Sequence, residues 1–268
     1  MDPNFPEPIC DMGVLHLQQG EFEKAERHLR EAFELDNTYY PAISNLLSIL
    51  FRKVNTKVQQ RRLSEIDEVE ELVQLLQALQ NNAPADSAEM KAACHNTQAV
   101  ISSCSLNAYN WYQQGNTASA LQILKQIEPL IEALPGMSSR VVSIYWDARG
   151  LYNHRLGQLE DALQCYQKSR AVAELAQDNA LTANAWQRIG SVHLARSQWE
   201  QAEAAFERSF QFIPEAPKTV LTDEKLGETG LTERLTTPLD FALMYSKWGQ
   251  DRRAANALKD AEYCWLRA

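Results

Sequence analysis

Three stretches of this chain place small and large residues at one shared set of intervals. The first runs Ile9, Met12, Gly13 and His16, then Gly20, Phe22, Ala25, Leu29, Ala32 and Leu35. The second runs Trp146, Arg149, Gly150 and Asn153, then Gly157, Leu159, Ala162, Tyr166, Ser169 and Val172. The third runs Trp186, Ile189, Gly190 and His193, then Ser197, Trp199, Ala202, Phe206, Ser209 and Phe212. Two weaker copies keep the frame: Ala108, Trp111, Gly115, Ala120, Leu124 and Ile127, and Ala242, Tyr245, Gly249, Ala254, Leu258 and Ala261. A divergent copy starts at Tyr40, with Ile43, Leu46, Leu47 and Leu50. One such unit is too small to bury its own apolar face, so neighbours must stack to make a core.

The frame is helical. β-branched residues are sparse beside Ala, Leu, Gln and Glu, whose side chains lose little rotamer freedom in a helix. Gly13, Gly150 and Gly190 sit mid-helix, with Ala108 and Ala242 at the same place, where Gly costs about 1 kcal/mol relative to Ala. That cost is tolerable where two helices cross closely. Ala25, Ala120, Ala162, Ala202 and Ala254 read as the matching small site on a second helix, with Trp146, Tyr166, Trp186, Phe206 and Leu258 filling the space around the crossing. Gly20, Gly115, Gly157 and Gly249 fall between the two helices, where a short turn needs positive φ. Ser197-Gln198-Trp199-Glu200 reads as a capping box, and Asp86-Ser87-Ala88-Glu89 as another start of the same kind. Thr237-Pro238-Leu239-Asp240 places a cap, a Pro and an acid in sequence.

These residues resemble the tetratricopeptide repeat family, whose signature is W-x2-L-G-x2-Y followed by small and aromatic positions. The resemblance implies an all-α fold: an α-α superhelix, a right-handed solenoid of antiparallel helix pairs with a concave and a convex face. It implies a single array over residues 1–268, with repeats near 6–39, 40–80 (divergent), 86–134, 138–176, 178–213 and 237–268 and an insertion at 214–236. Gly115 to Gly157 spans 42 residues and Gly150 to Gly190 spans 40, against the minimal unit of about 34. Lengthened repeats are found in the peptide-sensing Rap-like and kinesin-light-chain-like branches. Gln167 to Leu175 is expected to continue as helix beyond the core pattern.

From Arg52 to Leu79 the turn glycine and the regular Ala are missing. Leu63, Ile66, Val69, Leu72, Val73, Leu75, Leu76 and Leu79 keep an apolar stripe, so one long helix is expected, broken at Asn81-Asn82-Ala83-Pro84. Pro214, Pro217, Gly227 and Gly230 mark the 214–236 insertion as an irregular connection. The opening Asp2-Pro3-Asn4-Phe5 matches the closing residues of a preceding repeat, as Asp36-Asn37-Thr38 closes the first, and Cys264 to Ala268 lacks a polar cap. The expectation is a piece of a longer array, or ends covered by a partner or a second copy, with self-association through those ends.

With a net charge of −9 and no basic run longer than Arg61-Arg62 or Arg252-Arg253, the chain lacks the clustered cations that nucleic acid needs. No stretch reaches the roughly 18 apolar residues of a membrane span. Cys10, Cys94, Cys104, Cys165 and Cys264 are scattered without a C-x-x-C, as reduced thiols in a cytoplasmic protein would be. His16 and His193 stand where the frame wants an aromatic, and His28, His95 and His154 are dispersed. No catalytic motif occurs, Cys94-His95 diverge on a helix, and neither enzymatic activity nor a cofactor or metal is expected.

What remains is binding. By the resemblance, the first helix of each pair lines the concave face. The inward positions are then Tyr109, Tyr112 and Gln113; Asp147, Leu151, His154 and Arg155; Asn184, Gln187, Arg188 and Ser191; and Leu243 and Lys247. Aromatics offer area and amides offer bonds to a peptide backbone. The expected function is a non-catalytic scaffold or adaptor that holds a peptide segment or partner helix in the groove. The alternatives are a peptide-responsive regulatory switch of the Rap-like type and a secretion or assembly chaperone. The family's carboxylate clamp is not expected, because Cys10 and Val14 occupy its places in the first repeat.

Overall fold

A small residue at one point on a helix creates a seat for a large one on its neighbour, and this chain uses that device in each unit. The computed structural model describes residues 5–60, 67–134 and 136–212. Within them the fold is all-α: α1 (Pro6–Gln18), α2 (Phe22–Leu35), α3 (Tyr40–Gln59), α4 (Val69–Asn82), α5 (Ala88–Gln113), α6 (Thr117–Glu132), α7 (Ser139–Arg155), α8 (Leu159–Leu175), α9 (Asn179–Ala195) and α10 (Trp199–Gln211). There is no strand among the described residues. The chain divides into two compact units, Met1–Val141 and Val142–Ala268, with the boundary in the first turn of α7. The expected elements at 214–236 and 237–268, with the Thr237 cap, lie outside the described residues.

In the first unit α3 packs against α2, α4 and α5, and α5 against α6. Its core is aliphatic: Leu29, Ile43, Leu46, Leu50, Leu72, Leu76, Ile101 and Leu124 are each at most 1% exposed. Ion pairs follow the same packing. Arg30 bridges Glu26 and Glu71, Lys53 Nζ meets Glu26 at 2.7 Å, and Lys57 Nζ meets Glu68 at 2.8 Å. The segment from Arg52 to Leu79 is not one long helix. α3 ends at Gln59 and α4 begins at Val69, and the apolar stripes of the two helices pack against each other, while Leu63 and Ile66 lie outside the described residues.

In the second unit α9 packs between α8 and α10. Ala162, Leu163, Tyr166, Ile189, Val192 and Ala205 form a buried cluster with Leu159 and Trp186 against it. The glycines serve the rings. A Cβ on Gly150 would lie 2.5 Å from the Tyr166 ring, and one on Gly190 2.5 Å from the Phe206 ring. On Gly13 it would lie 2.7 Å from Leu29 Cγ. The small residue therefore receives the large side chain of the second helix, and at Gly13 the Ala25 carbonyl also lies 3.3 Å from where a Cβ would stand, the close crossing that the small residues imply. Serines add a second tie. Ser143 Oγ and Ser169 Oγ are 2.9 Å apart, Ser169 Oγ donates to the Ser143 carbonyl at 2.9 Å, and Ser209 Oγ donates to the Ala183 carbonyl at 2.8 Å.

The turns inside the pairs share one geometry. Gly20, Gly115 and Gly157 have φ of 77°, 84° and 76°. The next N–H reaches back five residues, as Glu21 to the His16 carbonyl and Gln158 to the Asn153 carbonyl, both 2.9 Å. Ser197 occupies this left-handed place with φ 56°. That corrects the expected capping box: an N-cap needs extended backbone, and Ser197 ends α9 instead of opening α10. Near Asp86 the cap is Ser87, whose Oγ accepts from Met90 N–H at 3.2 Å. α8 continues to Leu175, as the 167–175 sequence led one to expect.

Candidate functional site

On α7, Asp147, Leu151, His154 and Arg155 recur at helical spacing and form one stripe, and Asn184, Gln187, Arg188 and Ser191 do the same on α9. All are partly buried except Arg155, which is exposed. The two stripes meet: Arg188 Nε lies 3.5 Å from Asp147 Oδ1. Ser191 Oγ donates to the Gln187 carbonyl of its own helix at 3.1 Å, so its hydroxyl is engaged locally. In the other unit, Tyr109 and Gln113 are exposed and Tyr112 half-buried near the end of α5. Lys247 and Leu243 lie outside the described residues.

The electrostatics of the second-unit stripe are uneven. Burial first, then the guanidiniums of Arg155 and Arg188, hold the His154 imidazole below its ordinary value of 6.5. His154 is therefore neutral at pH 7, flanked by two cations. Because its folded value is depressed, the stability it contributes is whole above the unfolded value near 6.5 and is lost as pH falls through that value toward the folded one. The thermal midpoint should drop between pH 7.5 and 5.5, and the drop should be smaller in His154→Gln. With the ring only partly buried, solvent screening should keep the difference below about 1 kcal/mol. Equal pH profiles for the two proteins would contradict this placement of His154.

Beneath the stripe sits a residue that sequence reasoning assigned only to packing. Tyr166 is 0% exposed, and its hydroxyl makes no hydrogen bond among the described residues. Burial, then Asp147, pushes this phenol well above its usual range. No sequence signal marks it, because the copies that carry Phe206 and Leu29 at this position bury equally well.

His16 Nδ1 pairs with Glu21 at 2.7 Å and stacks on His28 at 5.3 Å, while His193 Nδ1 meets Gln198 Oε1 at 2.8 Å. Cys10, Cys104 and Cys165 are buried and form no disulfide among the described residues, and burial pushes Cys104 up to about 12, which disfavours the reactive thiolate. Among the described residues no group of three or more His, Cys, Asp or Glu is placed to hold a metal. No helix there is long and apolar enough to cross a membrane.

Family models described as tetratricopeptide repeat match residues 140–215 and residues 10–31. No curated protein matches the sequence. Among solved structures, BtubC from P. vanneervenii is similar at 16% identity, covering 82% of this chain and 89% of that one, with a TM-score of 0.46. PilF of Pseudomonas aeruginosa is similar at 15% identity, covering 94% and 88%, with a TM-score of 0.38. YrrB, a TPR protein with an unusual peptide-binding site, is similar at 15% identity, covering 80% and 89%, with a TM-score of 0.33. The matched segments contain the glycine seats Gly13, Gly150 and Gly190, each holding a side chain of the paired helix, and these two segments, residues 10–31 and 140–215, are tetratricopeptide repeats.

Proposed function

We propose that the chain is a non-catalytic interaction scaffold that holds a peptide segment or partner helix against the stripe on α7 and α9. The tetratricopeptide repeats at residues 10–31 and 140–215 support a protein-binding role. The observation that carries the finer reading is the pairing of the two stripes through Arg188 and Asp147, beside the exposed Arg155 and the amides of Asn184 and Gln187. Amides on a fixed helix can bond a main chain, and an exposed guanidinium selects a carboxylate on it. Tyr109, Tyr112 and Gln113 offer a comparable aromatic and amide surface on α5.

The test is selection of random 12-residue peptides on the intact protein. Peptides recovered on the wild type should be enriched in Asp and Glu. Arg155→Glu should weaken their binding by about tenfold or more while far-UV ellipticity stays unchanged. Arg188→Glu is the poorer variant, because it would set a second carboxylate beside Asp147 at the 3.5 Å contact. Unchanged affinity in Arg155→Glu would remove α7 from the binding surface.

A further inference from the structure

Between α4 and α6, the second helices of their pairs, lies a hollow of about 430 Å³. Val69 and Val73 of α4 and Pro129 of α6 supply its apolar wall, and Asp67, Glu70 and Gln126 its polar edge. Every charged group that lines it is a carboxylate. Asp67 and Glu70 are exposed, and neither meets a cation among the described residues. The acids beside them are matched, Glu68 by Lys57 at 2.8 Å and Glu71 by Arg30.

The facing helix adds two acceptors without donors. Gln126 Oε1 is buried and accepts no hydrogen bond among the described residues, which costs the folded chain free energy. Pro129 stands inside α6 and has no N–H, so the Lys125 carbonyl one turn before it lacks its helical donor. Acids in the first turn of α4 suit the positive end of that helix, and this accounts for Glu70 without any ligand. It does not account for orphan acceptors on α6.

We infer that this hollow receives an arginine side chain of a partner protein. The lining asks for several N–H donors, a positive charge and an apolar body in one group. A guanidinium carries five donors in a flat fork, and its faces pack on apolar surface. One edge can serve the Gln126 oxygen and the Lys125 carbonyl while Asp67 or Glu70 meets the charge. An ammonium is a strongly hydrated point charge with three donors, and suits the carboxylates alone. The volume is at the small end of the roughly 300–1,000 Å³ of ligand sites, which fits one side chain better than a length of main chain. The hollow has the opposite charge to the Arg155 surface proposed above, lies in the other unit, and stands independently of that reading.

The test uses the full chain and short capped, alanine-rich helical peptides with one central Arg, citrulline or Lys. Binding is followed by peptide anisotropy and by the Gln126 side-chain amide signal in ¹H–¹⁵N spectra. The Arg peptide should bind about tenfold more tightly than the citrulline peptide, which has the same shape without the charge, and about threefold more tightly than the Lys peptide. Asp67→Asn with Glu70→Gln should remove the preference for Arg over citrulline. Gln126→Leu should weaken Arg binding about fivefold and leave the thermal midpoint equal or higher, because it deletes an unsatisfied group. A Gln126 with only a structural role would give a lower midpoint and unchanged binding. Equal binding of Arg and citrulline, a preference that survives the double variant, or wild-type Arg binding in Gln126→Leu overturns the site. Free arginine amide binding as tightly as the Arg peptide overturns the assignment to a protein partner. A dimer of the unliganded chain in sedimentation that is lost in the double variant assigns the hollow to a second copy, and overturns it likewise.

Discussion

Phe206→Ala is expected to destabilise the protein by about 4 kcal/mol, within the usual range for emptying a fully buried aromatic site. Phe206 is 0% exposed, as is Ala202 one turn before it, and its ring rests on Gly190. The cavity cannot collapse, because the wall on the α9 side is backbone and the Ser209 to Ala183 hydrogen bond at 2.8 Å holds the two helices at their separation. At a typical slope of about 2 kcal/mol per molar urea, the midpoint followed by far-UV ellipticity should fall by about 2 M. A fall of less than about 0.5 M would mean that α10 contributes little to the unit's stability.

The second large effect comes from adding one methyl group. Gly150→Ala gains about 1 kcal/mol of helix propensity but sets a Cβ 2.5 Å from a buried tyrosine ring. A ring at 0% exposure has nowhere to turn, so overpacking should dominate and leave a net loss of about 2 kcal/mol. The same change at Gly13 should also cost stability, because its Cβ would lie 2.7 Å from Cγ of the equally buried Leu29 and 3.3 Å from the Ala25 carbonyl. A natural compensation exists in the first unit, where Ala108 and Leu124 occupy the equivalent places and are both fully buried. The double change Gly150→Ala with Tyr166→Leu recreates that pair and should be less costly than the sum of its parts by about 1–2 kcal/mol. Strict additivity would show that Gly150 is not the seat of the ring. Tyr166→Phe is the control and should cost nothing, since the hydroxyl has no hydrogen-bond partner among the described residues.

Much of this was legible without coordinates. Each seat glycine precedes its guest by sixteen residues, as Gly13 does Leu29, Gly150 does Tyr166 and Gly190 does Phe206, and an interval that constant means one repeated helix–turn–helix geometry. The turn glycines were legible because only left-handed backbone explains them. Ser197 was misread because its neighbours spell a capping box, while the backbone it joins needs the residue that Gly supplies elsewhere. The helix over 52–79 was misread because an unbroken apolar stripe does not record where a chain reverses. The candidate stripes on α7 and α9 could be written from spacing alone. The contact between Arg188 and Asp147, the neutral His154 between two arginines and the unsatisfied Tyr166 hydroxyl could not.

The sequence by itself determined the helices, their left-handed turns and the alternation of small and large residues that pairs them. These depend on neighbours within a few turns, so local spacing records most of them, the Ser197 turn and the bounds of α3 and α4 being the exceptions. Only the tertiary structure decided which charged residues meet, as Arg188 with Asp147, Lys53 with Glu26 and Lys57 with Glu68. The physical reason is range: a helix pair is specified by contacts sixteen residues apart, whereas Arg30 meets Glu71 only because the fold brings residues forty-one apart in sequence together.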